Sequence, residues 1–418
     1  MRPMNATEKI LARAAGQNEV VPGEIVQARV DMTLTHEKLG PVFFPDFRSL
    51  NVPIWDLDKV VMFVDHNVPS GTINDANLCL ETRQFARDYG VKHFYWAEGV
   101  CHQVMPEKGH VLPGELLVGT DSHTTTHGAF GALAIPIGST EMAWVYAKGS
   151  LWLRVPQTLR FQIDGKLADM VMAKDVFLYV CHEAGIDGAV YKAMEFSGTT
   201  IEEMSVDGRM VLCNMAVEMG AKNAILNPDD KVFSYVQSRT DKTYTPVYSD
   251  PDAQYEHTFH LDGSKMVPVV ACPHIQDNVK LVTEVKDVAI TRAFIGTCTG
   301  GRMEDLRAAA RILEGRKVAR DVMLQIVPAS QEVYRDALRE GLLEVFLGAG
   351  AIIHNSNCGP CGGSQMGVLG RNEVCIGANN RNIRGRMGDL SAQIYLGSPI
   401  TVAASAITGK ITDPREFI

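Results

Sequence analysis

Three cysteines carry the most distinctive chemistry in this chain. Cys298 lies in Gly296-Thr297-Cys298-Thr299-Gly300-Gly301-Arg302, and Cys358 and Cys361 form the CxxC of Asn357-Cys358-Gly359-Pro360-Cys361-Gly362-Gly363. Thiolates bind soft metals, and a CxxC pair serves zinc sites, thiol–disulfide couples and iron–sulfur clusters alike. No second CxxC accompanies it, as the commonest zinc frameworks require, and it lies late in a long chain rather than near the start of a small redox domain. A structural pair, a zinc site and an iron–sulfur cluster all stay open on the cysteines alone.

A second set of residues has the types needed for proton transfer. Asp65-His66 follows the apolar run Val60 to Val64, and Thr120-Asp121-Ser122-His123-Thr124 follows Leu116-Leu117-Val118-Gly119. His102 sits between them in Gly99-Val100-Cys101-His102-Gln103. An imidazole held by a carboxylate can be tuned to give or take a proton near neutral pH. Taken singly, such histidines more often serve the core or the surface, but all of these stand after strands, beside acids and glycines. The third set is cationic: Asn380-Arg381-Asn382-Ile383-Arg384-Gly385-Arg386. A solvated basic turn is the plain reading. A guanidinium matched to a carboxylate is the functional one, because an acidic protein that binds a dianion must concentrate positive charge somewhere.

Composition narrows the classes. The 418 residues carry a formal charge of −9, with 46% hydrophobic and 21% charged residues. That length implies two or three domains, and the absence of a basic stripe makes nucleic acid a poor partner. No apolar run reaches membrane-spanning length, and Arg2, Glu8 and Lys9 interrupt any signal-peptide core, so the cytoplasm is the expected compartment. Nine cysteines without an export signal point to reduced thiols rather than disulfides, with Cys79, Cys181, Cys213, Cys272 and Cys375 as buried background.

The elements that must position these residues read as alternating strands and helices. Thr7 to Ala15 predicts a capped helix closed by Gly16. The alternation from Val26 to Leu34 predicts one half-buried strand, ending at Thr35-His36-Glu37. Further strands are expected over 59–64, 115–119, 288–295, 351–353 and 374–376, with helices over 77–89, 176–184, 210–219, 303–313 and 332–346. Ser238 to Glu256 reads as a surface connection. The pattern is α/β, in which ligands collect outside the carboxyl ends of parallel strands, and the candidate residues of the three sets stand at such ends.

Gly-Thr-Cys-Thr, Cys-Gly-Pro-Cys, Gly-Thr-Asp-Ser-His-Thr and Asn-Arg-Asn followed by Gly-Arg occur in this order across the whole chain. Together they resemble the aconitase family. The resemblance implies three α/β domains, over 1–158, 159–286 and 287–418, around a central iron–sulfur site. It implies that Cys298, Cys358 and Cys361 hold three irons of a [4Fe–4S] cluster, one per chain, leaving the fourth iron without a protein ligand. It pairs Asp65 with His66, Asp121 with His102 and Glu195 with His123 for acid–base work, and gives His66 the protonation of a departing hydroxyl. His36, Ser122, Asn380, Arg381 and Arg386 are the implied substrate contacts.

The implied activity is the reversible dehydration of a hydroxy dicarboxylate by a hydro-lyase. At this length the resemblance is to members that lack the mobile fourth, swivel domain. It implies a separate small subunit that supplies that domain, with a serine base and further arginines. Isopropylmalate, and with it leucine biosynthesis, is the first expectation for the substrate. Homoaconitate chemistry and 2,3-dimethylmalate are the alternatives. Two departures bear on that choice: Thr35 to Pro41 differs from the usual His-Asp followed by Thr-Ser-Pro, and Gly300 stands where many relatives carry asparagine. A cluster-sensing RNA-binding role, the alternative of another class, is disfavoured by the acidic composition, and a zinc-stabilised structural subunit is the third reading.

Overall fold

The computed structural model describes residues 2–363 and 365–417, and they divide into two compact units. The first comprises residues 1–97, 104–164 and 187–261; the second comprises 98–103, 165–186 and 262–418. No helix among the described residues is long and apolar enough to cross a membrane.

In the first unit, strands β1 (Ile25–Arg29), β2 (Met32–His36), β3 (Val60–Val64), β4 (His93–Trp96), β5 (Leu116–Gly119), β6 (Leu133–Pro136) and β7 (Ser150–Arg154) come first in the chain. β2 to β6 form a parallel five-stranded sheet in the order β4-β3-β2-β5-β6. β2, β3 and β5 are buried along their whole length, as strands covered on both faces must be. The chain builds outward from β2 through β3 to β4, then returns to the other side with β5 and β6. The order therefore reverses between β2 and β5, and the crevice at the carboxyl ends there is where open α/β sheets bind ligands. Helices Gly40–Ser49, Ile73–Asp88 and Ser139–Lys148 cover this sheet, with Phe44 stacked on Phe85 at 3.8 Å within a cluster that includes Phe43, Phe47 and Tyr146. A second sheet of this unit follows the order β10-β9-β8-β11, from β8 (Thr158–Asp164), β9 (Ala193–Ser197), β10 (Asn223–Leu226) and β11 (His257–Asp262).

The second unit is built on β12 (Val269–Ala271), β13 (Val279–Leu281), β14 (Arg292–Ile295), β15 (Met323–Ile326), β16 (Ile352–Ile353), β17 (Val374–Gly377) and β18 (Gln393–Leu396). Their order is β13-β12-β18-β17-β14-β15-β16. β14 to β18 run parallel, and β12 and β13 close one edge antiparallel. The order reverses between β14 and β17, so this unit repeats the same logic at a second crevice. Helices Met303–Leu313 and Pro399–Thr408 pack an apolar core against it, with Leu306, Ala309, Leu313, Val402 and Ala406 all buried.

Several expected elements are corrected. The first helix spans Ala6–Ala15, and its cap is Asn5 rather than Thr7, because Asn5 accepts from Glu8 N–H while Glu8 returns a bond to Asn5 N–H. The single strand expected over 26–34 is two strands. β1 alternates between buried and exposed residues and pairs antiparallel with β7, whereas β2 joins the buried sheet. Asp31 makes the break: its carboxylate accepts Leu116 N–H at 2.8 Å and its own N–H donates to Leu116 O at 2.9 Å. The helix expected over 332–346 is two, Gln331–Arg339 and Leu342–Ala349, separated by Gly341 at φ 76°, a conformation that interrupts a helix. Of the three expected segments, 1–158 contains the five-stranded sheet. The segment 159–286 is shared, its residues 159–164 and 187–261 lying with the first unit and 165–186 and 262–286 with the second.

Candidate active site

In the first unit, the residues at the reversal of strand order converge. His36 ends β2, Asp65 and His66 follow β3, and Asp121 follows β5. Asp65 Oδ1 lies 2.8 Å from His66 Nδ1, and Asp121 Oδ2 lies 3.2 Å from His66 Nε2 and 3.5 Å from His36 Nε2. The two imidazoles stack with centroids 4.2 Å apart. His66 is therefore held through both ring nitrogens between carboxylates, which fixes the ring plane and provides for a proton on Nε2. Asp121 also caps the turn that follows it, accepting His123 N–H at 2.7 Å, and Ser122 lies half-buried on that turn.

Glu37, which the sequence reading passed over, organises this group. Its Oε1 accepts His66 N–H at 2.7 Å and Asn67 N–H in a short bond, and Oε2 accepts Asp65 N–H at 3.2 Å. One carboxylate thus holds the three successive amides of the turn that presents Asp65 and His66. Glu37 is fully buried, and burial, with the adjacent Asp65 charge, raises its pKa to about 7. The signal in the sequence was an acid directly after a strand end, next to His36.

The expected pairing of Glu195 with His123 is corrected. His123 Nε2 lies 2.7 Å from Glu218 Oε1, and its Nδ1 lies 3.6 Å from Asp121 Oδ1. Glu195 stands in the middle of β9 rather than at its end. It accepts Tyr255 O–H at 2.7 Å and Ser249 O–H at 2.7 Å, an arrangement that fastens the 238–256 connection to the sheet. Burial pushes its carboxyl pKa upward. Glu218 ends a buried helical run, Met210 to Met219, and an acid in such a run was the available signal. His102 is buried near the start of the helix Cys101–Glu107.

In the second unit, the cysteine turns leave the carboxyl ends of β14 and β16, and the Asn380 turn leaves β17. None of the nine cysteines forms a disulfide, and the expected background residues Cys79, Cys181, Cys213, Cys272 and Cys375 are buried. Cys298 and Cys361 are buried and Cys358 is half-buried. Asn380 lies against two of them: its Oδ1 is 3.9 Å from both Cys298 Sγ and Cys361 Sγ, and its Nδ2 is 3.5 Å from Cys298 Sγ. Three thiols at the carboxyl ends of parallel strands of one sheet, with an amide against two of them, are the donor set of a soft, thiolate-bound metal group. The glycine at 300 has a steric reason, since a Cβ there would lie 2.4 Å from Ala378 Cβ. Arg302, fully buried, donates from Nε to Gln103 Oε1 at 2.8 Å, and its Nη atoms have no hydrogen-bond partner among the described residues. Arg381 and Arg386 are half-exposed on the turn after Asn380.

A sequence profile of the aconitase family (aconitate hydratase) matches residues 8–286 and 275–409. Among named relatives, the chain is 51% identical to a probable 3-isopropylmalate dehydratase large subunit of Methanothermobacter thermautotrophicus, over 98% of this chain and 99% of the relative. It is 48% identical to a probable methanogen homoaconitase large subunit of the same organism, over 100% and 99%. Aconitase X of Thermococcus kodakaraensis in its holo-form shares the fold at 14% identity and a TM-score of 0.50, covering 90% of this chain and 89% of that one. Profile and relatives agree across nearly the full length: the chain belongs to the aconitase family and is a hydro-lyase.

Proposed function

We propose that this chain is the large subunit of a [4Fe–4S] enzyme that interconverts hydroxy dicarboxylates by removing and restoring water, with 3-isopropylmalate as its substrate. The observation that carries the acid–base part is His66, held between Asp65 at 2.8 Å and Asp121 at 3.2 Å. Hydroxide is a poor leaving group, and a positioned acid contributes about 10²- to 10⁴-fold to such a step. His66 Nε2–H protonates the departing oxygen, and Asp65 keeps the ring oriented through Nδ1. Asp121 restrains both His36 and His66, and Glu218 holds His123.

Cys298, Cys358 and Cys361 would hold the cluster. Three sheltered thiols outside any disulfide, at the ends of β14 and β16, fit such a group, and Asn380 Nδ2 offers a donor to the Cys298 sulfur. When bound, such a cluster supplies Lewis acidity toward a substrate hydroxyl and carboxylate. Arg381 and Arg386 are the cations assigned to the substrate carboxylates, with His36 and Ser122 as further contacts. The carbon base and the remaining substrate arginines belong to a separate small subunit, a reading supported by the large-subunit names of the relatives. Homoaconitate chemistry is the second reading, supported by the 48% identical relative.

The test is anaerobic turnover of 3-isopropylmalate, homocitrate and 2,3-dimethylmalate by the chain alone and after co-expression with a small subunit of this family. Formation of the unsaturated acid is followed by ultraviolet absorbance. Dehydration of 3-isopropylmalate only in the presence of the small subunit is the expected result. Robust turnover by the chain alone, or preference for either other acid, overturns the proposal as stated.

A further inference from the structure

Lys174 is almost entirely buried, at 1% exposure, in the first turn of the helix Ala173–Ala184. A lysine seldom lies so deep unless its ammonium is bound on all sides. Its Nζ donates to Thr299 Oγ1 at 3.0 Å, to Ala378 O at 2.8 Å and to Asn379 O at 2.8 Å. These three acceptors belong to two turns. Thr299 is the neighbour of Cys298 on the turn after β14, and Ala378 and Asn379 immediately precede Asn380 on the turn after β17. β14 and β17 are adjacent parallel strands, so the ammonium bridges the mouths of the two strands between which the sheet order reverses. Thr299 Oγ1 reinforces the link by donating to Ala378 O at 2.8 Å. Asn380 is in turn the residue whose amide lies against Cys298 and Cys361.

We propose that Lys174 is a positioning residue for the metal centre. It fixes the spacing between the Cys298 turn and the Asn380 turn through three hydrogen bonds, and its buried charge favours the more electron-rich state of a thiolate-bound cluster. A cation on a long, flexible stem is costly to bury, whereas methionine or leucine would fill the same space without that cost. Asp175, the next residue and fully buried, is one anionic neighbour, and a thiolate-bound cluster beside the two turns would be a second. The inference rests on the cluster proposed above.

The experiment compares wild type with Lys174→Met, which keeps the length of the side chain and removes both the charge and the donors. Both chains are reconstituted anaerobically and measured for iron and sulfide content, for the rate of loss of the cluster's visible absorbance in air, and for midpoint potential by redox titration. Far-ultraviolet circular dichroism and thermal unfolding report the fold. The expected result for a folded Lys174→Met is a severalfold faster loss of absorbance and a midpoint potential shifted to more negative values, with Lys174→Arg restoring the potential at least in part. Wild-type decay rate and potential in a folded Lys174→Met overturn the proposal. A wild type that takes up no iron and sulfide removes the cluster reading itself, a distinct failure that also removes this proposal. If Lys174→Met does not fold, Thr299→Val decides, because it removes one of the three acceptors and leaves the lysine. Faster decay supports the positioning role, and unchanged decay overturns it.

Discussion

Replacing Glu37 by glutamine should make the protein more stable and less active, and the size of the first effect follows from the site. Glu37 is enclosed among Asp65, His66 and Asn67, and its pKa is raised from 4.5 to about 7, first by burial and then by the Asp65 charge, against the opposing pull of His66 and the backbone N–H groups. A carboxyl with a raised folded-state pKa contributes stability that is fully present below its unfolded pKa and is lost as pH rises through the folded value. The displacement corresponds to roughly 3 kcal/mol lost between about pH 4.5 and pH 8. Glutamine does not titrate. Near pH 5 it is neutral, as the protonated acid is, but its amide brings two N–H donors where the acid brings one O–H, so the variant should unfold no higher than the wild type there. Near pH 8 the variant should gain up to roughly 3 kcal/mol, on the order of 5–10 °C for a unit of this size. Asp175 and Glu115, with pKa values raised to about 6 and about 7, titrate over the same range in both proteins and cancel in the comparison. The assay is thermal unfolding of both chains from pH 5 to pH 8. Parallel curves would refute the assignment of a buried, ionising clamp to Glu37. Activity should fall at the same time, because glutamine replaces the bond to Asp65 N–H with two opposed donors and loosens the turn that presents His66.

Other consequences follow from the same geometry. His66→Ala should lower turnover of the two-subunit enzyme about 10²- to 10⁴-fold while leaving iron and sulfide content at the wild-type level, and unchanged steady-state kinetics would remove it from the mechanism. The re-pairing of His123 separates two acids. Glu218→Gln should depress kcat with little change in unfolding temperature, whereas Glu195→Gln, which weakens the bonds to Tyr255 and Ser249, should cost about 1–3 kcal/mol of stability. Measuring kcat and unfolding temperature for both variants checks the assignment, and the reverse pattern would return Glu195 to its expected role.

What the sequence revealed and what it concealed have the same origin. Continuous apolar runs such as Val60 to Val64 can exist only in a sheet covered on both faces, and polar residues directly after them mark the crevice, so Asp65, His66, Asp121 and the cysteine turns could be placed without coordinates. The order in which strands assemble was not visible, because it depends on crossovers that leave no local mark. The reversals between β2 and β5 and between β14 and β17 came only with the fold. Partners at long range were hidden for the same reason. Glu218 lies 95 residues from His123, and Lys174 reaches Thr299 across 125 residues. Lys174 was further obscured by a helix expected to begin at Val176, which left the lysine outside it, whereas the helix begins at Ala173. Glu195 misled because an acid between apolar residues looks the same in sequence whether it faces a ligand or fastens a loop. Its position in mid-strand, hydrogen-bonded to Tyr255 and Ser249, distinguishes the two.

The central claim is that Cys298, Cys358 and Cys361 hold an iron–sulfur cluster, and iron and acid-labile sulfide per chain after anaerobic purification test it most directly, on wild type beside Cys298→Ser. The account predicts nearly equal iron and sulfide in the wild type and the loss of both in the variant, with the fold intact by circular dichroism. Zinc without sulfide in the wild type, or a variant indistinguishable from it, would contradict the account and leave the three cysteines with a structural role.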